Sequence, residues 1–265
     1  MDLKEQNWIN LCANHLRDWH GIWTRYSPQG EVTESFQSIR SLRSNPGQTE
    51  IAQTNRYMYA DGITKEEGWQ YNLHSNGLAD GLFHPSRDYM RGIFFEQGSA
   101  AWVMTQLKTG SYQGIKLFLE LFFRYEDLRL SVAIGYQDSG NLMRTVNIRE
   151  DAAGFPSKYW STELNLLPER NLSGSWQGTS VTMTPDLNVS FPAPTEFYWP
   201  VEGNEIFFFP DGISLSCPEN VSIGTDFTIA ANWLVTPSHL QQLSVKYNKD
   251  GTFSSLTLEL FHKAS

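Results

Sequence analysis

His20-Gly21-Ile22-Trp23-Thr24-Arg25-Tyr26 sets a Gly-x-Trp triplet between the end of an amphipathic helix and the start of an alternating strand. A glycine there lets the backbone pass close under a neighbouring element. A tryptophan two residues on points to the same face, where it can plug the closed end of a small barrel. The triplet returns in Leu172-Ser173-Gly174-Ser175-Trp176-Gln177-Gly178. Two such triplets predict two barrels in tandem, with Trp23 and Trp176 as their plugs.

Upstream of the first triplet, residues 3–19 place Trp8, Leu11, Cys12, Leu16 and Trp19 on one apolar stripe, which predicts a helix lidding the first barrel. Downstream, strands are expected at 22–27, 31–43, 50–60, 67–74, 90–104, 116–125, 128–136 and 142–149, about eight in all and enough to close a barrel. Turn signals such as Pro28-Gln29-Gly30, Asp61-Gly62 and Asn76-Gly77 divide them. In 50–60, Gln53, Asn55, Tyr57 and Tyr59 share one face while Thr54, Arg56 and Met58 share the other, and neither face is purely apolar. A barrel interior lined for a ligand reads this way, and so does a partly hydrated core.

Residues 150–172 break the pattern with Gly154, Pro156 and Pro168 and read as a crossing segment. Nine short strands are expected beyond it, including 187–191 and 221–224. The domains are therefore 1–165, the helix with a larger barrel, and 166–265, a smaller barrel. A hairpin also repeats near the end of each half. Leu130-Ser131-Val132 precedes Tyr136-x-x-x-Gly140, and Leu243-Ser244-Val245 precedes Tyr247-x-x-x-Gly251, a signature of duplication.

The net charge of −9 speaks against nucleic-acid or anionic-membrane partners. All twelve arginines lie at or before Arg170, so bidentate recognition of an anion belongs to the first half. Met1-Asp2-Leu3-Lys4-Glu5 is no secretory leader and no apolar run could insert in a membrane. Cys12 and Cys217 alone make no disulfide framework, and together these features predict an intracellular, cytoplasmic protein.

The six histidines have no metal-binding spacing, and neither nucleophile elbow, phosphate loop nor dinucleotide fingerprint occurs, so no metal or cofactor is expected and no catalytic residue emerges. Glu96 and Glu120 lie on apolar strands. Either could be a buried acid, or face solvent or pair with Arg124 or Arg56. The strongest constellation is one for binding: Arg40, Arg56, Tyr57, Trp69, Tyr71, Phe94 and Trp102 on successive strands of the first barrel. If they face inward, an arginine fork takes a carboxylate and the aromatics form a flat apolar wall; if not, the aromatics are core and the arginines are surface. In the second barrel Phe207, Phe208, Phe209, Phe227 and Trp233 are expected to fill the interior.

Trp19-His-Gly21-Ile-Trp23-Thr-Arg25-Tyr-Ser-Pro28-Gln-Gly30, Phe207-Phe-Phe-Pro210-Asp-Gly212 and Ser216-Cys-Pro218 together resemble an uncharacterised lipocalin-like, or calycin, family of cyanobacteria. Trp233-Leu-Val-Thr-Pro237-Ser-His-Leu240 is similar, more loosely, to the S-type and T-type phycobiliprotein lyases, calycin barrels that carry bilins. The resemblance implies an all-β fold of antiparallel up-and-down barrels. Lipocalins also pack an arginine over their Gly-x-Trp tryptophan, a part that Arg129, Arg144 or Arg149 could take. Three function classes stay open. One is a carrier of a small hydrophobic ligand, bilin, carotenoid-derived or fatty-acid-like. The others are a lyase-like enzyme or chromophore chaperone with a phycobiliprotein subunit as partner, and a structural or protein-interaction module with filled barrels.

Overall fold

Asp2 starts α1 (Leu3–His15) by accepting a hydrogen bond from the Lys4 amide at 3.2 Å, in a computed structural model that describes residues 2–108 and 114–263. Met1 of the opening pentapeptide lies outside the described residues. Trp8, Leu11 and Cys12 form the buried stripe of α1. The helix stops at His15, short of Trp19, because the Trp19 indole donates to the His15 carbonyl at 3.0 Å. That bond satisfies an acceptor of the last turn while the backbone is already extended from Asp18.

The strands β1 (Asp18–Tyr26), β2 (Val32–Ser44), β3 (Glu50–Met58) and β4 (Thr64–Asn72) run up and down, and a single turn, α2 (Leu73–Asn76), follows. Then come β5 (Gly77–Leu78), β6 (Gly81–His84), β7 (Arg87–Phe94), β8 (Ala100–Met104), β9 (Ile115–Tyr125), β10 (Leu128–Gln137) and β11 (Leu142–Asp151). All pairings are antiparallel, in the order β4-β3-β2-β1-β11-β10-β9-β8-β7-β6-β5. Eleven strands replace the expected eight: the run 90–104 is a hairpin turned at Gly98, whose φ of +92° suits glycine, and β5 and β6 add short segments. The sheet curls into a nearly closed barrel. Side chains close its seam where ladders do not: His84 of β6 sits 5.3 Å from Trp69 of β4 and 5.0 Å from Trp102 of β8, ring centre to ring centre.

The second sheet holds β12 (Trp176–Met183), β13 (Ala193–Thr195), β14 (Glu205–Phe208), β15 (Ile213–Cys217), β16 (Phe227–Thr236), β17 (His239–Tyr247) and β18 (Phe253–Lys263). Its order is β13-β12-β18-β17-β16-β15-β14. The expected strands at 187–191 and 221–224 do not form. Val189 makes an isolated bridge to Met183, and the Val221 amide is spent on Gly140 of the first sheet at 2.8 Å. The chain is thus an all-β protein: an antiparallel barrel lidded by a helix, followed by a second antiparallel sheet.

β9 shows how the two sheets meet. Phe118 and Glu120 face into the barrel, while Leu117, Leu119, Leu121 and Phe123 face out. The outward set joins Val132 and Ile134 of β10 and Phe209, Leu215, Trp233, Leu243 and Leu258 of the second sheet in one continuous buried core. The barrel is therefore apolar outside and mixed inside. Burial drives the outer face of β7–β10 against the second sheet, which leaves the interior free to be polar. Phe207, Phe209 and Trp233 belong to this shared core and do not fill the second unit's own interior.

The duplicated hairpins meet reciprocally across this junction. The Tyr136 hydroxyl donates to the Pro218 carbonyl at 2.8 Å, and the Tyr247 hydroxyl donates to the Met104 carbonyl at the same distance. Gly140 accepts from the Val221 amide and Gly251 from the Leu107 amide, again both at 2.8 Å. Each hairpin thus makes the same pair of contacts, one from its tyrosine hydroxyl and one to its glycine carbonyl, on the other unit. Asp211 adds a fifth tie, accepting from Arg149 of β11 at 2.5 Å and from the Ser161 amide of the crossing segment at 3.0 Å.

Candidate functional site

Gly21 decides what stands at the floor of the first barrel. It lies opposite Glu150, and a Cβ at position 21 would come within 2.7 Å of Glu150 Cγ, so the missing side chain lets the carboxylate turn inward. Arg40 of β2 grips it with Nε at 2.5 Å and Nη2 at 2.7 Å, and Arg129 of β10 donates from Nε at 2.6 Å. The remaining arm of Arg40 reaches Glu120 Oε1 at 3.3 Å, which also accepts from Ser131 at 2.8 Å. Burial by itself would raise the pKa of Glu150, but Arg129 and Arg40 outweigh it and hold the carboxyl below its ordinary range. Burial likewise works against the charge of Arg40, and Glu150 with Glu120 overcomes it, so this guanidinium is held more firmly cationic than usual. His15 of α1 packs behind them. Burial first, then the cations Arg129 and Arg124, keep it far below its usual pKa and hence neutral.

Above this floor is a cavity of about 400 Å³. One wall stacks Trp23 on Phe36 at 5.6 Å with Tyr57 edge-on at 5.7 Å, and the seam supplies Trp69, His84, Tyr71 and Trp102 opposite. A polar strip runs between them on β3: the Tyr57 hydroxyl accepts from Asn55 at 3.0 Å, and Asn55 in turn accepts from Gln53 at 3.0 Å. The upper rim is cationic. Arg25 pairs with Glu34, Lys65 lies over Tyr59, Arg87 lies over Phe118 at 5.5 Å, and Arg144 completes the ring. His84 is pushed down to about 4 by burial and by Arg87, so the aromatic seam is uncharged at neutral pH.

Of the residues named from sequence, Arg40, Tyr57, Trp69, Tyr71 and Trp102 line this cavity. Phe94 lies beneath it, beside Leu11 and Phe122 in a small hollow under the lid. Arg56 is on the outer face, because β3 alternates and Asn55 and Tyr57 point inward. Arg40 is inside, but each of its three nitrogens is already bonded to Glu150 or Glu120, and these carboxylates match its charge. Glu120 pairs with Arg40, not with Arg124 or Arg56, and Glu96 is exposed in the β7–β8 turn. Trp23 is half-buried and lines the cavity with its indole bonded to Ser38, whereas the fully buried plug is Trp19. The arginine stacked on Trp23 is Arg40 at 5.1 Å, and Arg129 stacks on Trp19 at 4.4 Å. Sequence reasoning missed Arg25, Arg87, Arg144 and His84. The inward run Arg144, Val146, Ile148, Glu150 was readable from β11's alternation once Glu150 was placed opposite Gly21.

The second unit repeats the floor's scaffold with hydrocarbon. The Trp176 indole donates to the Leu172 carbonyl at 2.9 Å, as Trp19 does to His15, and Gly178 faces Phe261 as Gly21 faces Glu150. Leu240 pairs with Phe261 where Arg129 pairs with Glu150. Leu172, Trp176, Leu240 and Phe261 form a buried apolar cluster capped by Phe197. The repeated unit is therefore Trp-x-Gly, and Trp176 corresponds to Trp19 and not to Trp23. Among the described residues no cluster of His, Cys, Asp and Glu could hold a metal ion, and no helix is long and apolar enough to cross a membrane.

Residues 197–264 match the family model described as biogenesis factor required for ATP synthase 1, C-terminal domain. A crystal structure from Nostoc punctiforme, of a protein of unknown function from the DUF3598 family, superposes with a TM-score of 0.70 at 20% identity, over 97% of this chain and 99% of that one. An S-type phycobiliprotein lyase from Guillardia theta superposes with a TM-score of 0.37 at 8% identity over 57% of this chain and 93% of that one, too loosely to carry an argument. The search of curated proteins found no match. Residues 4–155, more than half of the chain and the whole helix-lidded barrel, match the model described as domain of unknown function (DUF3598), N-terminal; the chain belongs to that family.

Proposed function

We propose that the first barrel binds a small conjugated organic molecule, bilin or carotenoid-derived, between its aromatic walls. The observation that carries this reading is the cavity itself. Its volume of about 400 Å³ falls within the range of roughly 300–1,000 Å³ typical of ligand sites, with tryptophan and tyrosine on facing walls. Flat walls of this kind stack on a planar, conjugated body better than on a saturated chain, which ranks a fatty acid lower. Titrating the purified protein with biliverdin and with all-trans-retinoic acid while following tryptophan fluorescence tests it. Trp102→Ala should weaken whichever binds by about ten-fold, the scale of one lost aromatic stacking contact. No quenching by either compound, in protein whose folding is verified, would sink the reading. Covalent transfer of the chromophore to a phycobiliprotein subunit would move it to the lyase-like alternative.

A second reading, a protein-interaction role, draws on the match of residues 197–264 to a domain of a biogenesis factor and on Phe191 and Tyr198. These side chains are 92% and 73% exposed beside the edge strand β13. Cross-linking from a photoreactive residue at position 191 in the native source would show whether a partner covers that edge.

A further inference from the structure

Among the described residues, two of the four arginines that line the cavity have no carboxylate partner. Arg40 and Arg129 share Glu150, Arg149 has Asp211, and Arg25 has Glu34. Arg144 makes no hydrogen bond or ion pair among the described residues, and its Nε is shielded from solvent without a partner. Arg87 lies over the face of Phe118 and makes no ion pair among the described residues. Five cationic side chains and two carboxylates line the cavity, in a chain whose net charge is −9. Adding Glu150 and Glu34, which pair with Arg40 and Arg25, still leaves the cations in the majority. Burial and then the proximity of Arg25 and Arg87 depress the pKa of Arg144, so the cluster is one in which positive charges oppose each other.

Resting on the binding reading above, we infer that Arg144 and Arg87 hold a carboxylate at the solvent end of the bound molecule, whose conjugated body lies below it between Trp23 and Trp102. A carboxylate there supplies the missing acceptor to the shielded Arg144 Nε and relieves the repulsion among three guanidiniums. The depth of the cavity argues for this orientation and against the reverse. At the floor, Glu120 presents a carboxylate and the charge of Arg40 is already matched by Glu150 and Glu120, so an acid driven in head first meets a like charge. The ligand class is therefore an apolar, conjugated acid bound tail first, with its charge at the mouth.

The test compares two acids with their esters: all-trans-retinoic acid with its methyl ester, and biliverdin with its dimethyl ester. Each is titrated by tryptophan quenching against wild type, Arg144→Gln, Arg87→Gln and the double variant, with urea unfolding as the folding control. Wild type should prefer acid to ester by about ten-fold or more at low salt, and the preference should shrink as ionic strength rises. The double variant should lose that preference while keeping its affinity for the ester. Arg144→Lys, which keeps the charge and lacks the fork, should retain part of it. If wild type binds acid and ester equally, or if the double variant keeps the preference, the anion site is overturned while ligand binding stands. If no member of the panel binds, the binding reading itself fails and takes this inference with it.

Discussion

Arg40 and Glu150 show how much one glycine can set in motion. Without Gly21 the carboxylate has no room, and without the carboxylate two buried guanidiniums have no counter-ion. Glu150→Ala should therefore cost about 3–5 kcal/mol in urea unfolding, as breaking a buried ion cluster from one side does. The acid limb of stability belongs to Glu150 together with two histidines of the same helix-lidded barrel. His15 and His84 both titrate below the ordinary 6.5 when folded, so beneath pH 6.5 the unfolded chain takes up protons that the folded chain refuses. Stability falls as pH drops through that range, for His84 until about 4. The depressed carboxyl of Glu150 adds a further loss at lower pH, as pH falls through its folded value. Urea midpoints should thus decline between about pH 6.5 and pH 4.5, and His84→Phe should flatten part of the decline; an unchanged slope would show that the ring is protonated in the fold.

At the scale of elements, Trp19 and Trp23 divide two jobs that one Gly-x-Trp reading assigns to a single residue. Both lie on the inner face of β1, since they are four residues apart on a strand. Only packing against α1 tells them apart. Trp19→Ala should cost about 3–5 kcal/mol, and Trp23→Ala clearly less, with the larger loss for Trp23 appearing in ligand quenching. Much else in the elements was legible. The helix stripe as far as Cys12, the hairpin of Tyr136 and Gly140, and the alternation of 116–125 hold, while Trp19 falls on β1. The alternation of β3 also already said that Arg56 and Tyr57 cannot share one wall. What alternation cannot say is which face of β9 is the inside, because an apolar face is buried equally well by a barrel's own lumen or by another sheet. Several of the residues in the motifs quoted for a family resemblance are junction parts. Gly30 packs on Leu166, Asp211 receives Arg149, and Pro218 receives Tyr136.

In the whole molecule, the two floors amount to a comparison of ion cluster against hydrocarbon on one scaffold. Exchanging the first for the second, through His15→Leu, Arg40→Phe, Glu120→Ala, Arg129→Leu and Glu150→Phe together, should leave the protein folded. Its stability should be unchanged or raised by about 1–4 kcal/mol, as when buried ion groups give way to packed apolar side chains. A collapse like that of Glu150→Ala would mean that the floors are not interchangeable. If they are, the fold does not require the ion cluster, and its charge belongs to the cavity above it.

The outward-facing wall of Leu119, Leu121, Phe123, Val132 and Ile134 has a consequence for how this protein is made. A ribosome completes the first barrel about 110 residues before the strand that carries Leu258, which at 5–20 residues per second is on the order of ten seconds. For that interval the nascent chain carries a finished cavity and an uncovered oily back. Residues 1–165 expressed alone should therefore be recovered in aggregates unless the missing half is supplied alongside.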